Sequence, residues 1–139
     1  LEGGPSSVGG DFSCYKNQLT SLEGCPSSVG GGFYCSYNQL TSLEGCPSSV
    51  GGGFSCLNNQ LISLEGCPSS VGGHFYCNNN PVFLVWILFK DLDKIELFNE
   101  YDVIRDDEDP PIIIMDRLND FLETIGKEPV EKVEGYKCI

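Results

Sequence analysis

The chain has 139 residues with a formal charge of −12, from 20 acids against 8 Lys and Arg. An acidic surface of that strength repels phosphate backbones and argues against nucleic-acid binding. The longest uncharged apolar run, PVFLVWILF at 81–89, is far too short to span a bilayer. The charge is uneven: residues 1–80 carry five acids and one base, and residues 81–139 carry fifteen acids and seven bases.

A 21-residue unit occupies the first 84 residues in four copies, starting at Leu1, Leu22, Leu43 and Leu64. They read LEGGPSSVGGDFSCYKNQLTS, LEGCPSSVGGGFYCSYNQLTS, LEGCPSSVGGGFSCLNNQLIS and LEGCPSSVGGHFYCNNNPVFL. Repetition at this period predicts a solenoid of stacked coils. Leu1 is not Met and falls in phase with the repeat, so the chain reads as cut from something longer. Missing upstream repeats, a cap or homotypic contact is expected at the N-terminal sheet edge.

Within the second copy, Phe33 and Cys35 alternate with Gly32, Tyr34 and Ser36, the period of a half-buried strand. The same frame gives strands centred on 11–15, 32–36, 53–57 and 74–78. Stacked ~4.8 Å apart, the coils place Phe12, Phe33, Phe54 and Phe75 in one buried column. Cys14, Cys35, Cys56 and Cys77 form a second. Asn17, Asn38, Asn59 and Asn80 form a third, in which each amide satisfies backbone groups at a bend. The glycine pairs at 30–31, 51–52 and 72–73 suit a narrow corner. The arc T-S-L-E-G-C-P-S-S-V has too many breakers for a helix and reads as extended or a short 3₁₀ turn.

The skeleton F-x-C-x-x-N-x-L resembles L-x-L-x-x-N-x-L, the central pattern of the leucine-rich repeat family. The nearest subtype is the short bacterial or bacteriophage form of 20–22 residues. The resemblance covers residues 1–84 and implies a right-handed coil with a short parallel sheet. It also implies protein binding on the concave sheet face. On the strands the outward residues are Asp11, Ser13, Tyr15, Tyr34, Ser36, Ser55, Leu57, His74, Tyr76 and Asn78, and Tyr37 adds a further ring. The copies differ most at these positions, and the tyrosines offer contact area at low entropic cost.

Seven of the eight cysteines fall in two columns, the Cys14 series and Cys25, Cys46, Cys67. A disulfide framework and a metal site are the alternatives to structural thiols. No CxxC pair is present, and each of these cysteines has a hydrophobic equivalent in the family pattern. Reduced, small, apolar thiols are therefore expected, which fits folding in a reducing cytoplasm, with later assembly into a larger particle left open.

After Asn80 the repeat stops. A helix opening at Asn80-Pro81 is expected, then a helical stretch with Leu92, Ile95, Phe98 and Tyr101 on one side. The run Arg105 to Asp109 reads as a polar loop. Asp109-Pro110 is expected to open a second helix bearing Ile114, Leu118, Phe121, Leu122 and Ile125, stopped by Gly126. The last ten residues read as a short strand or an extended arm. Residues 1–80 are thus expected to be a solenoid, and 81–139 a mainly helical cap on its last coil through Phe83, Leu84, Trp86, Ile87 and Leu88.

No catalytic arrangement is legible. His74 stands alone, the carboxylates lack calcium-loop spacing, and Cys138 lies one residue from the end. No cofactor and no metal is expected. The leading functional expectation is a non-catalytic protein-interaction scaffold. The alternative is a structural module of a larger assembly such as a phage particle or cell-surface structure. A repetitive ice- or mineral-binding face would need an unbroken polar column, and the Thr20, Thr41 series breaks at Ile62 and Phe83.

Overall fold

A computed structural model describes residues 3–105, 107–108 and 110–139. Its contacts divide the chain into two compact units, Leu1–Asn80 and Pro81–Ile139.

The first unit is built from eight two-residue strands: β1 (Ser7–Val8), β2 (Phe12–Ser13), β3 (Ser28–Val29), β4 (Phe33–Tyr34), β5 (Ser49–Val50), β6 (Phe54–Ser55), β7 (Ser70–Val71) and β8 (Phe75–Tyr76). They form two parallel four-stranded sheets, β1-β3-β5-β7 and β2-β4-β6-β8. Every pairing joins residues 21 apart, such as Phe12 with Phe33 and Val29 with Val50. Parallel coils of one sequence thus repeat in register. The backbone ladder of the β2-type sheet continues past the strands, with the amides of Cys14 and Lys16 donating to the carbonyls of Tyr34 and Ser36 at 2.9 Å.

Of the extended or 3₁₀ conformation the sequence predicts for the S-S-V segment, the structure shows the extended one, paired into a second sheet that the sequence does not predict. It forms because identical copies in register bring each amide over the carbonyl of the coil before. Ser27 donates to Ser6 at 2.8 Å, and Ser48 to Ser27 and Ser69 to Ser48 at 3.0 Å. Between the two strands of a coil the chain turns at the glycine pair. A side chain at Gly51 would strike the carbonyl of Gly30 in the coil before, so this corner excludes one.

Phe33, Phe54, Leu22, Leu40, Leu43, Leu61 and Leu64 are fully buried inside the coils. The Phe12, Phe33, Phe54 and Phe75 rings stack at centroid distances of 5.3, 5.5 and 5.4 Å, within 10° of parallel. A buried ring of this kind contributes roughly 1.5–3 kcal/mol. Leu22, Leu43 and Leu64 each accept from the amide of the cysteine three residues on, at 3.0–3.1 Å. Gly24, Gly45 and Gly66 hold φ of 85–88° in these L-E-G-C turns, the conformation a type II turn requires at its third residue.

The second unit holds α1 (Phe83–Trp86), a 3₁₀ turn at Leu92–Lys94, α2 (Ile95–Glu100), β9 (Ile104–Arg105), β10 (Ile112–Ile113), α3 (Met115–Thr124) and β11 (Lys137–Cys138). It is not mainly helical. Its three-stranded sheet, β11-β10-β9, pairs β10 antiparallel to β9 and parallel to β11. The expected helix from Asp109-Pro110 starts only at Met115, because the β-branched run Ile112–Ile113 is taken into the sheet. Asp106 and Asp109 of the expected acidic loop lie outside the described residues, and Arg105 belongs to β9.

Asn80 does not cap α1, whose cap position is Val82; its amide is spent on the asparagine column of the first unit. Of the apolar run, Val85, Trp86 and Phe89 are buried, whereas Leu84 and Ile87 stay exposed. Phe89, Phe98 and Phe121 meet with centroids 5.0–5.2 Å apart and form the aromatic centre of this unit. Leu118 and Leu122 of α3 and Ile113 of β10 are also fully buried there. Asn119 fixes the tail by donating to the Val130 carbonyl at 3.0 Å and accepting from its amide at 2.8 Å.

Candidate interaction face

Strand alternation sends Phe and Cys inward and their neighbours outward, so the outer face of the β2-type sheet is a grid of columns. One column reads Ser13, Tyr34, Ser55, Tyr76, paired in register. The next outward position reads Tyr15, Ser36, Leu57, Asn78, and the one before the strand reads Asp11, Gly32, Gly53, His74.

Asp11, Ser13, Tyr15, Tyr34, Tyr37, His74, Tyr76 and Asn78 are exposed on this face, and Leu57 is half-buried. The four tyrosines keep between 37% and 51% of their surface open. Two expected contact residues do not qualify. Ser36 and Ser55 are buried, and their hydroxyl oxygens lie 2.7 Å apart across adjacent coils. A serine beside bulkier side chains is overshadowed, and the two hydroxyls satisfy each other. Gly32 is likewise buried, with the Tyr34 ring folded over it.

Tyr37 belongs to the bend rather than the strand. It has φ of 58° and its ring meets that of Tyr15 edge-on at 5.4 Å. Lys16, Asn58 and Asn79 share this left-handed position. Lys16 and Asn79 are exposed and Asn58 is half-buried, so these three extend the face beyond the residues expected from strand alternation. The signal was present as a 21-residue series just before each column asparagine, but alternation alone does not reveal it. At the far end His74 and Tyr76 stack at 5.5 Å. Asp11 accepts from the Gly32 amide at 2.7 Å, tying its carboxylate to the next coil. Asp11, Lys16 and His74 are the titratable side chains of the grid other than its tyrosines, so it carries little net charge within a strongly acidic chain.

Beneath the face, Asn38 donates to the carbonyls of Cys14 and Cys35, both at 3.0 Å, and accepts from the Leu19 amide at 3.0 Å. Asn59 and Asn80 repeat the arrangement one and two coils on. The eight cysteines are free thiols. Burial pushes the Cys35 and Cys56 thiols well up and takes Cys77 to about 12. No group of three or more His, Cys, Asp or Glu side chains among the described residues is placed to hold a metal ion. On the β1-type sheet, Ser7, Ser28, Ser49 and Ser70 with the adjoining valines and glycines line an open groove of about 470 Å³. No described helix is long and apolar enough to cross a membrane.

No protein-family model, curated protein or solved structure matches this chain.

Proposed function

We propose that the chain is a non-catalytic protein-interaction scaffold of leucine-rich repeat type that binds a protein partner through Tyr15, Tyr34, Tyr37, His74 and Tyr76. One observation carries this reading. The copies differ mainly in five columns, and four of them, the Asp11, Ser13, Tyr15 and Lys16 series, lie on the β2-type sheet face or its bend. The Phe12, Cys14 and Asn17 series do not vary at all. A framework held constant while one face changes suits a binding surface, and exposed tyrosines are efficient contact residues.

The second reading is a structural module of a larger assembly. It is favoured by the near-identity of the copies, since in-register coils suit a repetitive lattice.

Affinity capture from the native source, read by mass spectrometry, tests the first reading. The intact chain is expected to retain a specific partner, and a variant with Tyr15, Tyr34, Tyr37 and Tyr76 changed to Ser is expected to lose it with its circular dichroism unchanged. Undiminished capture by the variant rejects this face. Recovery of the chain only inside purified particles, with no separable partner, supports the structural module.

A further inference from the structure

We propose that the third coil is the floor of a trough on the tyrosine face, and that the trough takes one arginine side chain of a basic protein partner between Tyr34 and the His74–Tyr76 pair. The inference rests on the binding face proposed above and names what that face holds.

The outward residues of the second and fourth coils stand up from the sheet, with Tyr34, Tyr37, His74 and Tyr76 exposed. Those of the third coil lie low: Gly53 and Leu57 are half-buried and Ser55 is buried. Backbone bonds set the three coils side by side, with Phe33 donating to Gly53 at 2.9 Å and Phe54 to His74 at 2.7 Å. The Tyr34 ring lies along its own coil, over Gly32. The His74 and Tyr76 rings stack on each other at 5.5 Å and 23° from parallel. The chain path does not demand glycine at 53. Its φ is not left-handed, and beyond its chain neighbours a Cβ there would come no closer than 3.5 Å to any atom, the nearest being the backbone oxygen of His74. The first and fourth copies carry Asp11 and His74 at this position, so the bare floor belongs to the third coil alone among the walls that flank it.

The coil step in this part of the stack is given by the phenylalanines next to these residues: 5.5 Å from Phe33 to Phe54 and 5.4 Å from Phe54 to Phe75. A planar group above Gly53 therefore sits about one step from either wall, inside the ~6 Å over which an aromatic face attracts a cation. Charge selects the occupant. Residues 22–80 carry Glu23, Glu44 and Glu65 with no Lys or Arg, in a chain of net charge −12. Such a field draws in cationic partners and turns away acidic ones. Arginine suits the trough better than lysine, because its guanidinium is planar, stacks on aromatic rings and gives up water more readily.

The test is titration of the intact chain, labelled on its tyrosine and histidine rings, with the capped peptide acetyl-Gly-Gly-Arg-Gly-Gly-amide, followed by NMR. The ring signals of Tyr34, His74 and Tyr76 are expected to shift and saturate. The same peptide with citrulline, which keeps the shape and removes the charge, is expected to bind at least about fivefold more weakly. Gly53→Leu fills the floor and is expected to lose the peptide with its circular dichroism unchanged; Tyr34→Ser carries the same test if Gly53→Leu fails to fold. Tyr15→Ser, in the first coil, is expected to bind as the parent does. No saturable shift in the parent, equal binding of the citrulline peptide, tighter binding of a phenylalanine peptide, or undiminished binding by Gly53→Leu or Tyr34→Ser overturns the proposal. Capture from the native source separates the two failures. A partner kept by Gly53→Leu and lost by the four-tyrosine variant refutes the trough and leaves the face, whereas a partner kept by both refutes the face.

Discussion

The side-chain amide of Asn38 lies 3.0 Å from the carbonyl oxygen of Cys14, one coil back in the stack. A single buried side chain therefore joins two coils and closes the bend of its own.

Asn38→Ala is expected to leave those backbone groups unsatisfied and to cost about 1–3 kcal/mol. Asn17 is exposed and its amide reaches only its own coil, at the carbonyls of Cys14 and Tyr15. Asn17→Ala is expected to cost clearly less. Urea unfolding of the two variants checks the order, and equal losses would show that the inter-coil bond adds nothing.

Lys16 is held at φ of 57°, a left-handed conformation that costs a non-glycine residue roughly 1 kcal/mol. The third and fourth copies place Asn at this position, and Asn tolerates it better. Lys16→Asn is expected to raise the unfolding midpoint, with a gain of about 0.5 kcal/mol. Lys16→Val is expected to lower it.

Gly45 combines φ of 88° with a tight approach, since a Cβ there would lie 2.8 Å from the carbonyl carbon and oxygen of Leu22. Gly45→Ala is expected to destabilise by more than about 2 kcal/mol, the sum of left-handed strain and displaced backbone. Gly3 has a similar φ with nothing within 4 Å of the same point. Gly3→Ala is expected to cost only the strain. Thermal melts of both variants distinguish clash from strain.

The thiols give a pH signature. Burial and then the Cys14 thiol take Cys25 to about 12, and burial and then Cys77 take Cys67 to about 12. The raised folded values favour the protonated form, so their contribution to stability is complete below the unfolded thiol range, near ~8.5. It is lost as pH rises from there through about 12. Unfolding midpoints are expected to be flat with respect to thiol ionisation below pH ~8 and to fall above pH ~9. Serine at 25, 46 and 67 is expected to reduce that fall. At neutral pH the native thiols are expected to react with a disulfide reagent far more slowly than the same chain in denaturant.

The columns of the first unit were legible because the repeat supplies its own alignment. Four copies in register show that Phe12 stacks on Phe33 and that Cys and Asn follow. The β1-type sheet was not legible, since Ser28–Val29 has neither alternation nor length and exists only through its neighbours. Alternation also says which way Ser36 and Ser55 point, but not that adjacent larger residues cover them. In the second unit, Leu118, Phe121 and Leu122 carried a correct helical signal. Ile112 and Ile113 were drawn into the same pattern, though their β-branched chemistry and the partners Ile104 and Cys138 place them in a sheet.

Hydrogen bonds run in both directions along the stack of the first unit. Phe12, Phe33 and Phe54 donate forward, to Gly32, Gly53 and His74 of the following coil, while Gly30, Gly51 and Gly72 donate backward, to Val8, Val29 and Val50. Peptide dipoles along the stacking axis therefore oppose one another, unlike those of an α-helix, which add. Lengthening the stack builds up no terminal charge to be neutralised. An insertion or loss of one whole 21-residue unit leaves the backbone and asparagine bonds between coils with equivalent partners, so recombination between repeats can change the width of the β2-type sheet without redesigning its interior.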